Sequence, residues 1–335
     1  MSVKSRERVL RTLHFDNPDR APRDLWLLPG VQMFRTDAVN AVLEKYPSDI
    51  AHAPVTYGTA RRAHGTPNVV GEYVDAWGCG WSVAEPGVIG EVRHPPLADW
   101  SALADYQAPY ELLNEADFTP AAQFCASTDS FVLGYFGSLF ERMQYLRGTT
   151  QLLMDLADET SELLALRDLV HAYNLRHLEL LCATPIDGVM WSDDWGSQRH
   201  LLISPTLWRR LFKPLYAEYC QLARQHGKAV FVHSDGNITA IYPDLIEIGI
   251  NALNSQLFCM DIEALGRAHR GEISFWGEID RQHVLPFGSA DEVRAAVRRV
   301  RAALDDGKGG VFAQCEWGND VPQANIEAVY AAWLE

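Results

Sequence analysis

A chain of 335 residues with 47% apolar and 22% charged side chains can bury a large core without disulfides to stabilise it. Its formal net charge of −15, with no basic run, argues against nucleic acids and anionic membranes as partners. No stretch approaches the roughly 18 apolar residues of a membrane span, and MSVKSRERVL lacks the apolar core of an export signal.

Predicted strands and helices alternate along the chain. A short amphipathic helix carrying Val9, Leu10 and Leu13 comes first. Apolar runs predict strands at 23–28, 131–137, 188–193, 229–235, 252–256, 273–279 and 310–315, and an eighth near 50–55. Apolar repeats of three and four predict helices at 151–181, 205–225, 239–248 and 290–304.

This alternation predicts parallel βα units and an α/β fold. We expect a (β/α)8 TIM barrel that forms a single domain over residues 1–335. Residues 71–92 break the rhythm with alternating glycines and aromatics, which indicates a hairpin inserted near the mouth of the barrel. The alternative is an open doubly wound sheet, but no GxGxxG motif follows the first strand.

The six cysteines are scattered, and none forms a CxxC pair. This usage is typical of an intracellular protein with free thiols, so we expect a cytoplasmic location. Most of these cysteines are expected to be small buried apolar residues.

Polar residues follow the apolar part of four predicted strands. In a barrel these strand ends converge on one mouth, where active sites lie. The residues concerned are Asp193, Asp194, His233, Asp235, Glu278, Asp280, Cys315 and Glu316.

His233, Asp235 and Cys315 form a candidate metal site. An imidazole, a carboxylate and a thiolate are acceptable zinc ligands, with a fourth position left for substrate or water. His233 and Asp235 are two residues apart, so both side chains can point to the same side of the strand. The alternative is a buried cysteine and a histidine that is hydrogen-bonded within the core.

Aromatic and amide side chains near the same strand ends are candidate substrate contacts, because aromatic walls suit a flat or apolar ligand. Equally, the tryptophans could cap the barrel core. Asp193 and Asp194 could act as an acid/base pair, orient a metal-bound histidine or cap a helix. The predicted substrate-binding residues are Trp191, Trp195, Trp276, Gln198 and Tyr135.

Several segments resemble the uroporphyrinogen-decarboxylase-like methyltransferases. The similarity covers nearly the whole chain, and HSDGNI with its following helix is among its most specific parts. The segments are RERVLRTLHFDNPDRAP near the N-terminus, 71–97, LFERMQYLRG (139–148), DDWGSQRHLLISPTLWRRLFKPLY (193–216), HSDGNITAIYPDLIEIGINALNSQ (233–256), GEIDRQHVLP (277–286) and VPQANIEAVYAAW (321–333).

The resemblance implies a (β/α)8 barrel and a Zn²⁺ enzyme that transfers methyl groups to or from the cobalt of a corrinoid (cobalamin) protein. His233 and Cys315 match the histidine and the distant cysteine of the coenzyme M branch, whereas Asp235 stands where that branch has a cysteine. The aspartate form looks more like the branch that demethylates methoxylated aromatics. In that reaction Asp193 and Glu278 are the candidate catalytic acids.

The resemblance also leaves alternatives. The chain could deliver a methyl group to a thiol, as coenzyme M-type enzymes do, or be a carboxy-lyase like uroporphyrinogen decarboxylase. Residues 22–35 lack the arginine-containing signature of the decarboxylase, and no cationic cluster lies at the inferred mouth. A barrel that only binds a ligand or a corrinoid protein, and a homodimeric state, also remain open.

Overall fold

The apolar runs of the sequence become short strands, most of them parallel. The computed structural model describes residues 3–335 of the chain. Its strands are β1 (Arg23–Leu27), β2 (Ile50–His52), β3 (Gly71–Val74), β4 (Gly80–Val83), β5 (Glu91–His94), β6 (Phe131–Tyr135), β7 (Gly188–Ser192), β8 (Ala229–Ser234), β9 (Ala252–Ser255), β10 (Ser274–Phe275) and β11 (Ala313–Trp317).

Eight of these strands form a barrel. Parallel ladders join β10, β9, β8, β7, β6 and β2 in that order, and a separate parallel ladder joins β1 to β11. A bridge between Phe275 and Val311 connects β10 to the approach to β11. Between β1 and β2, the backbone N–H of Asp49 donates to the carbonyl of Arg23 at 2.8 Å. The predicted α/β barrel fold is thereby confirmed.

Helices surround the strands, and Thr160, Ser204 and Ser289 cap three of them with side-chain oxygens. The helices are α1 (Ser5–Leu13), α2 (Pro29–Phe34), α3 (Thr36–Lys45), α4 (Glu111–Asn114), α5 (Thr119–Ser127), α6 (Phe140–Arg147), α7 (Thr149–Asp158), α8 (Ser161–Cys182), α9 (Pro205–Leu211), α10 (Lys213–Gln225), α11 (Tyr242–Ile248), α12 (Ile262–His269), α13 (Val284–Phe287), α14 (Ala290–Leu304) and α15 (Gln323–Trp333).

The helical pattern predicted over 151–181 is two helices, α7 and α8. Glu159 ends α7 in the left-handed conformation, with φ of 51°. Thr160 then starts α8, because its side chain accepts a hydrogen bond from the N–H of Leu163 at 3.3 Å. A break of this kind leaves the apolar spacing intact, so spacing alone does not reveal it.

The hairpin predicted at 71–92 is present and continues into a third strand. β3, β4 and β5 form an antiparallel sheet inserted between β2 and β6. Asp75 orders its first turn by accepting the N–H groups of Trp77 and Cys79 at 3.0 and 2.9 Å. Arg142 of α6 donates to the same carboxylate at 2.7 Å and ties the sheet to the barrel.

The core has two parts, which follow from the alternation of side chains along each strand. Inward side chains such as Phe131, Phe231 and Trp276 fill the barrel, and outward ones pack against the helices. Within residues 3–335, no helix is both long and apolar enough to cross a bilayer.

Candidate functional site

The polar strand ends do meet at one edge of the barrel, which we call the mouth. Inward positions alternate along β7 and β8, so Asp194, His233 and Asp235 face one another there. One ligand atom from each of these residues lies within 4.8 Å of the other two. Among the residues that the structure describes, this is the one group of three or more side chains arranged to hold a metal ion.

Distances within this group, which we call the triad, centre on His233. Its Nε2 atom lies 3.3 Å from Oδ1 of Asp235 and 3.5 Å from Oδ1 of Asp194. The other oxygen of Asp235 is held by the guanidinium of Arg281. The backbone N–H of Asp235 donates to Oδ1 of Asp194 at 2.9 Å, which links the two strand ends.

Asn254 on β9 determines which nitrogen of His233 is free. The amide nitrogen of Asn254 donates to the backbone carbonyl of Trp276, so its Oδ1 is the acceptor toward Nδ1 of His233 at 2.7 Å. Nδ1 therefore carries a proton, and in the neutral form of the ring Nε2 has a lone pair that points into the triad. Metal-binding histidines are commonly oriented by such a hydrogen bond.

The carboxylates of the triad fit a cation. Oδ1 of Asp235 is buried and has no hydrogen-bond partner within residues 3–335, which is costly for a carboxylate oxygen unless a cation or a donor satisfies it. Burial raises the pKa of Asp194, and the negative charge of nearby Asp235 raises it further. A divalent cation bound here would relieve both effects.

Arg281 lies beside the triad and faces more carboxylates than it can neutralise. It donates to Oε1 of Glu316 at 2.9 Å and lies 3.6 Å from Oε1 of Glu278, in addition to its contact with Asp235. Burial raises the pKa of Glu278 well above its usual range, and Arg281 opposes this only in part. This local excess of carboxylates again favours a bound cation.

Cys315, predicted as the third metal ligand, does not reach the triad. It pairs with Leu25 in the β1–β11 ladder, and both face the helices while Gln314 and Glu316 face inward. Its sulfur lies 3.9 Å from the hydroxyl of Tyr330 on α15. Burial raises the pKa of this thiol to about 12, so it stays protonated. The third candidate metal ligand in the structure is therefore Asp194, where the sequence predicted Cys315.

Trp191 and Trp195, predicted as substrate contacts, are core residues. Trp191 is 1% exposed and packs on Phe136 and Tyr219 between strands and helices. Trp195 stacks on Phe140 with ring centroids 4.0 Å apart, and its indole N–H donates to the hydroxyl of Tyr216. Both side chains take outward positions, so they do not line the mouth.

Trp276 does lie inside the barrel, beneath His233. Its indole N–H donates to Oδ2 of Asp24 at 2.9 Å, and its ring makes an edge contact with Trp26 at 5.1 Å. Trp26, which sequence reasoning missed, also contacts the ring of His233 at 5.0 Å. Trp276 is fully buried, so Trp26 is the ring that borders the site and Trp276 supports it from inside the barrel.

Tyr135 and Gln198, the remaining predicted substrate contacts, lie toward the solvent. Tyr135 takes an inward position at the end of β6, is 45% exposed, and its hydroxyl lies 3.0 Å from Oγ of Ser192. Gln198 is exposed on the loop after β7, where its Oε1 accepts the thiol of Cys259 at 3.3 Å. Tyr135 thus lines the mouth, whereas Gln198 lies on its rim.

Asp193, predicted as a catalytic acid, holds the start of α6. Its carboxylate accepts the backbone N–H groups of Leu139 at 2.9 Å and Glu141 at 2.8 Å, and the hydroxyl of Tyr216 at 2.5 Å. Burial raises the pKa of Asp193 to about 6, against these hydrogen bonds, which lower it. With 1% exposure and three donors, it has no free oxygen to offer a substrate.

We therefore expect Asp193→Asn to destabilise the fold. An amide presents an NH₂ group to one of three buried donors, and hydrogen bonds to a charged group contribute about 1.5–3 kcal/mol each. The free energy of unfolding, measured by urea denaturation, should fall by about 2–3 kcal/mol. Ser204→Ala, which removes the exposed cap of α9, should cost about 1 kcal/mol as a reference. A fully stable Asp193→Asn protein that lost only turnover would restore the catalytic interpretation.

Comparisons with known proteins agree with this architecture. The model of the uroporphyrinogen decarboxylase (URO-D) family matches residues 73–334. No curated protein sequence matches the chain in a pairwise search. Among solved structures, a methyltransferase from Methanosarcina mazei has a TM-score of 0.73 at 15% identity, over 99% of this chain and 98% of that chain.

Two other solved structures are much weaker matches. An endo-β-1,4-xylanase from Gloeophyllum trabeum has a TM-score of 0.47 at 11% identity, over 97% of this chain and 99% of its own. A 3-keto-D-glucoside 4-epimerase from E. coli has a TM-score of 0.38 at 13% identity, over 64% and 84%. Neither bears on function. The family match, by contrast, spans most of the chain and includes the whole triad, and the chain therefore belongs to the uroporphyrinogen decarboxylase (URO-D) family.

Proposed function

We propose that this chain is a zinc-dependent methyltransferase of the cytoplasm, in which residues 1–335 act as one barrel. Its methyl donor is a small methoxylated aromatic, which it demethylates to a phenol. The methyl group passes to the cobalt of a partner corrinoid protein, which approaches through the open mouth. The observation that carries the proposal is the triad of Asp194, His233 and Asp235 at the mouth of a barrel of this family.

The triad supplies one nitrogen and two oxygen donors, all acceptable to zinc. Nε2 of His233 offers its lone pair because Asn254 holds the proton on Nδ1. Asp235 offers Oδ1, since Arg281 occupies its other oxygen. When bound there, zinc would act as a Lewis acid toward the ether oxygen of the donor.

Glu278 is the proton donor in this proposal. Its side chain follows the end of β10, and burial raises its pKa well above the usual range, which favours the protonated form that a proton donor needs. A phenolate that leaves during demethylation needs such a proton. The carboxylate of Asp193 is occupied by hydrogen bonds from the start of α6, so Asp193 does not serve this role.

The shape of the site favours an aromatic donor. Trp26 lies against His233 and is supported by the buried ring of Trp276, and Tyr135 borders the opening. Rings of this kind contact a flat ligand and exclude water from it. An aryl methyl ether is also the easier substrate, because a phenolate is a better leaving group than an alkoxide.

The mouth is poorly suited to a decarboxylase substrate with several carboxylates. Such a substrate needs convergent cations. The guanidinium of Arg281 already faces Asp235, Glu278 and Glu316. Delivery of a methyl group to a thiol remains the alternative that uses the same triad.

The test is turnover with a reduced corrinoid protein. Zinc-loaded protein should demethylate methoxyarenes but not methanol, methylamines or methyl thioethers, as followed by the absorption change of the cobalt. We expect no turnover without the corrinoid protein and none in His233→Ala. Turnover of methanol or a methylamine without any methoxyarene would refute the substrate class, and decarboxylation of uroporphyrinogen would refute the methyltransferase as well.

A further inference from the structure

The side chain of Arg281 connects the triad to two glutamates at the mouth. Three carboxylates approach it from three directions: Asp235 from the end of β8, Glu278 from the end of β10 and Glu316 from β11. The side chain is only 18% exposed. A planar guanidinium has donors arranged in a fixed fork, so its orientation is set by these partners.

This arrangement makes the two oxygens of Asp235 unequal. Oδ2 is bound by Arg281, whereas Oδ1 is buried without a partner among the described residues and lies 3.3 Å from Nε2 of His233. A free aspartate could rotate and present either oxygen or both. The contact with Arg281 leaves Oδ1 as the one oxygen directed into the triad.

We propose that Arg281 is a positioning residue for the metal centre, which fixes Asp235 so that it binds through Oδ1 alone. Glu278 and Glu316 hold the guanidinium in place for this task. The inference rests on the metal centre of the proposed function. Arg281 lies outside the triad, but in this proposal it sets how Asp235 binds the metal.

A positioning role and a simple charge role predict opposite results. A positive charge next to a metal site repels the cation, so its loss should tighten binding if charge were all that mattered. Lysine keeps the charge but lacks the fork that can bridge carboxylates, so Arg281→Lys separates geometry from charge. Arg281→Met removes both.

The experiment is a zinc titration of chelator-treated protein against a chromophoric competitor. We expect the dissociation constant for zinc to rise about 10–100-fold in Arg281→Lys, as for the loss of other groups that orient metal ligands. Arg281→Met should also bind zinc more weakly, despite the loss of a repelling charge. Unchanged binding by Arg281→Lys, or tighter binding by Arg281→Met, would overturn the proposal.

Two controls separate this effect from a loss of structure. Arg299→Lys alters an exposed ion pair with Glu263 and should leave zinc binding unchanged. In an Asp235→Asn background, Arg281→Lys should change zinc affinity by no more than about twofold, because the residue that it positions is already altered. A full effect in that background would contradict the proposal. If the wild-type chain bound no zinc, the metal centre itself would be refuted.

Discussion

Replacement of His233 by alanine is expected to abolish zinc binding and methyl transfer. His233 supplies the only nitrogen donor of the triad, and of the two carboxylates that remain, Asp235 is already bound by Arg281. Loss of a direct ligand should cost more than the roughly 100-fold that loss of an orienting hydrogen bond costs. Metal analysis after dialysis should show close to one zinc per wild-type chain and almost none in the variant.

Cys315→Ala provides the contrasting variant. The sequence predicts that it loses the metal, whereas the structure places its sulfur against Tyr330 on the helix side of β11. We therefore expect it to keep its zinc and to lose only a little stability. Asn254→Ala should be intermediate, because it frees the imidazole of His233 to rotate. Loss of zinc from Cys315→Ala with retention in His233→Ala would show that the triad is not the metal centre.

Asp49→Ala should destabilise the chain more than any other substitution considered for the fold. Asp49 is 1% exposed at the seam between β1 and β2, which no ladder closes. Its carboxylate accepts hydrogen bonds from Arg8 and Arg20 at 2.6 Å each, and from Ser5 and the N–H of Arg23 at 2.7 Å. Its removal leaves buried Arg8 with part of its charge uncompensated, which costs about 3–5 kcal/mol.

The measurement is urea denaturation of Asp49→Ala beside Asp129→Ala. Asp129 pairs with Lys4 near the same end of the barrel, but both side chains are more than 60% exposed, so its loss should cost less than about 1 kcal/mol. Equal destabilisation by the two variants would contradict the role of Asp49 in closing the seam.

The same residue predicts a dependence on pH. Burial alone would raise the pKa of Asp49, but the hydrogen bonds from Arg20, Arg23 and Ser5 outweigh it and hold the pKa below the usual 3.8. The stability that Asp49 contributes is therefore complete above that value and is lost as the pH falls through the lower, folded-state pKa. Asp49→Ala should lack this part of the acid-induced loss of stability.

Much of the barrel could be predicted because buried parallel strands are apolar on both faces. Because both faces are apolar, however, the sequence pattern does not show which residues of a strand point into the barrel and which point toward the helices. All five residues of β11 are buried, so the pattern gives no sign that Gln314 and Glu316 point inward and Cys315 outward. The ladder to β1 settles this, and it depends on contacts between the two ends of the chain.

The inward position of Asp194 can be predicted from the alternation of side chains along β7. In the run WSDD (191–194) at the end of β7, Trp191 and Asp193 share one face, and Ser192 and Asp194 share the other. Because the large side chain of Trp191 packs on the helix side, alternation places Asp194 on the opposite face, toward the mouth. The contacts of Arg281 had no such signal, because they join three separate strand ends.

The most direct test of the metal centre is zinc K-edge X-ray absorption of the wild-type protein. The triad predicts nitrogen and oxygen ligands at about 2.0–2.2 Å, with a single imidazole, and no sulfur. His233→Ala should lose the imidazole signal together with the zinc. A sulfur ligand at about 2.3 Å would contradict this centre, because it would require a cysteine that the triad of Asp194, His233 and Asp235 does not contain.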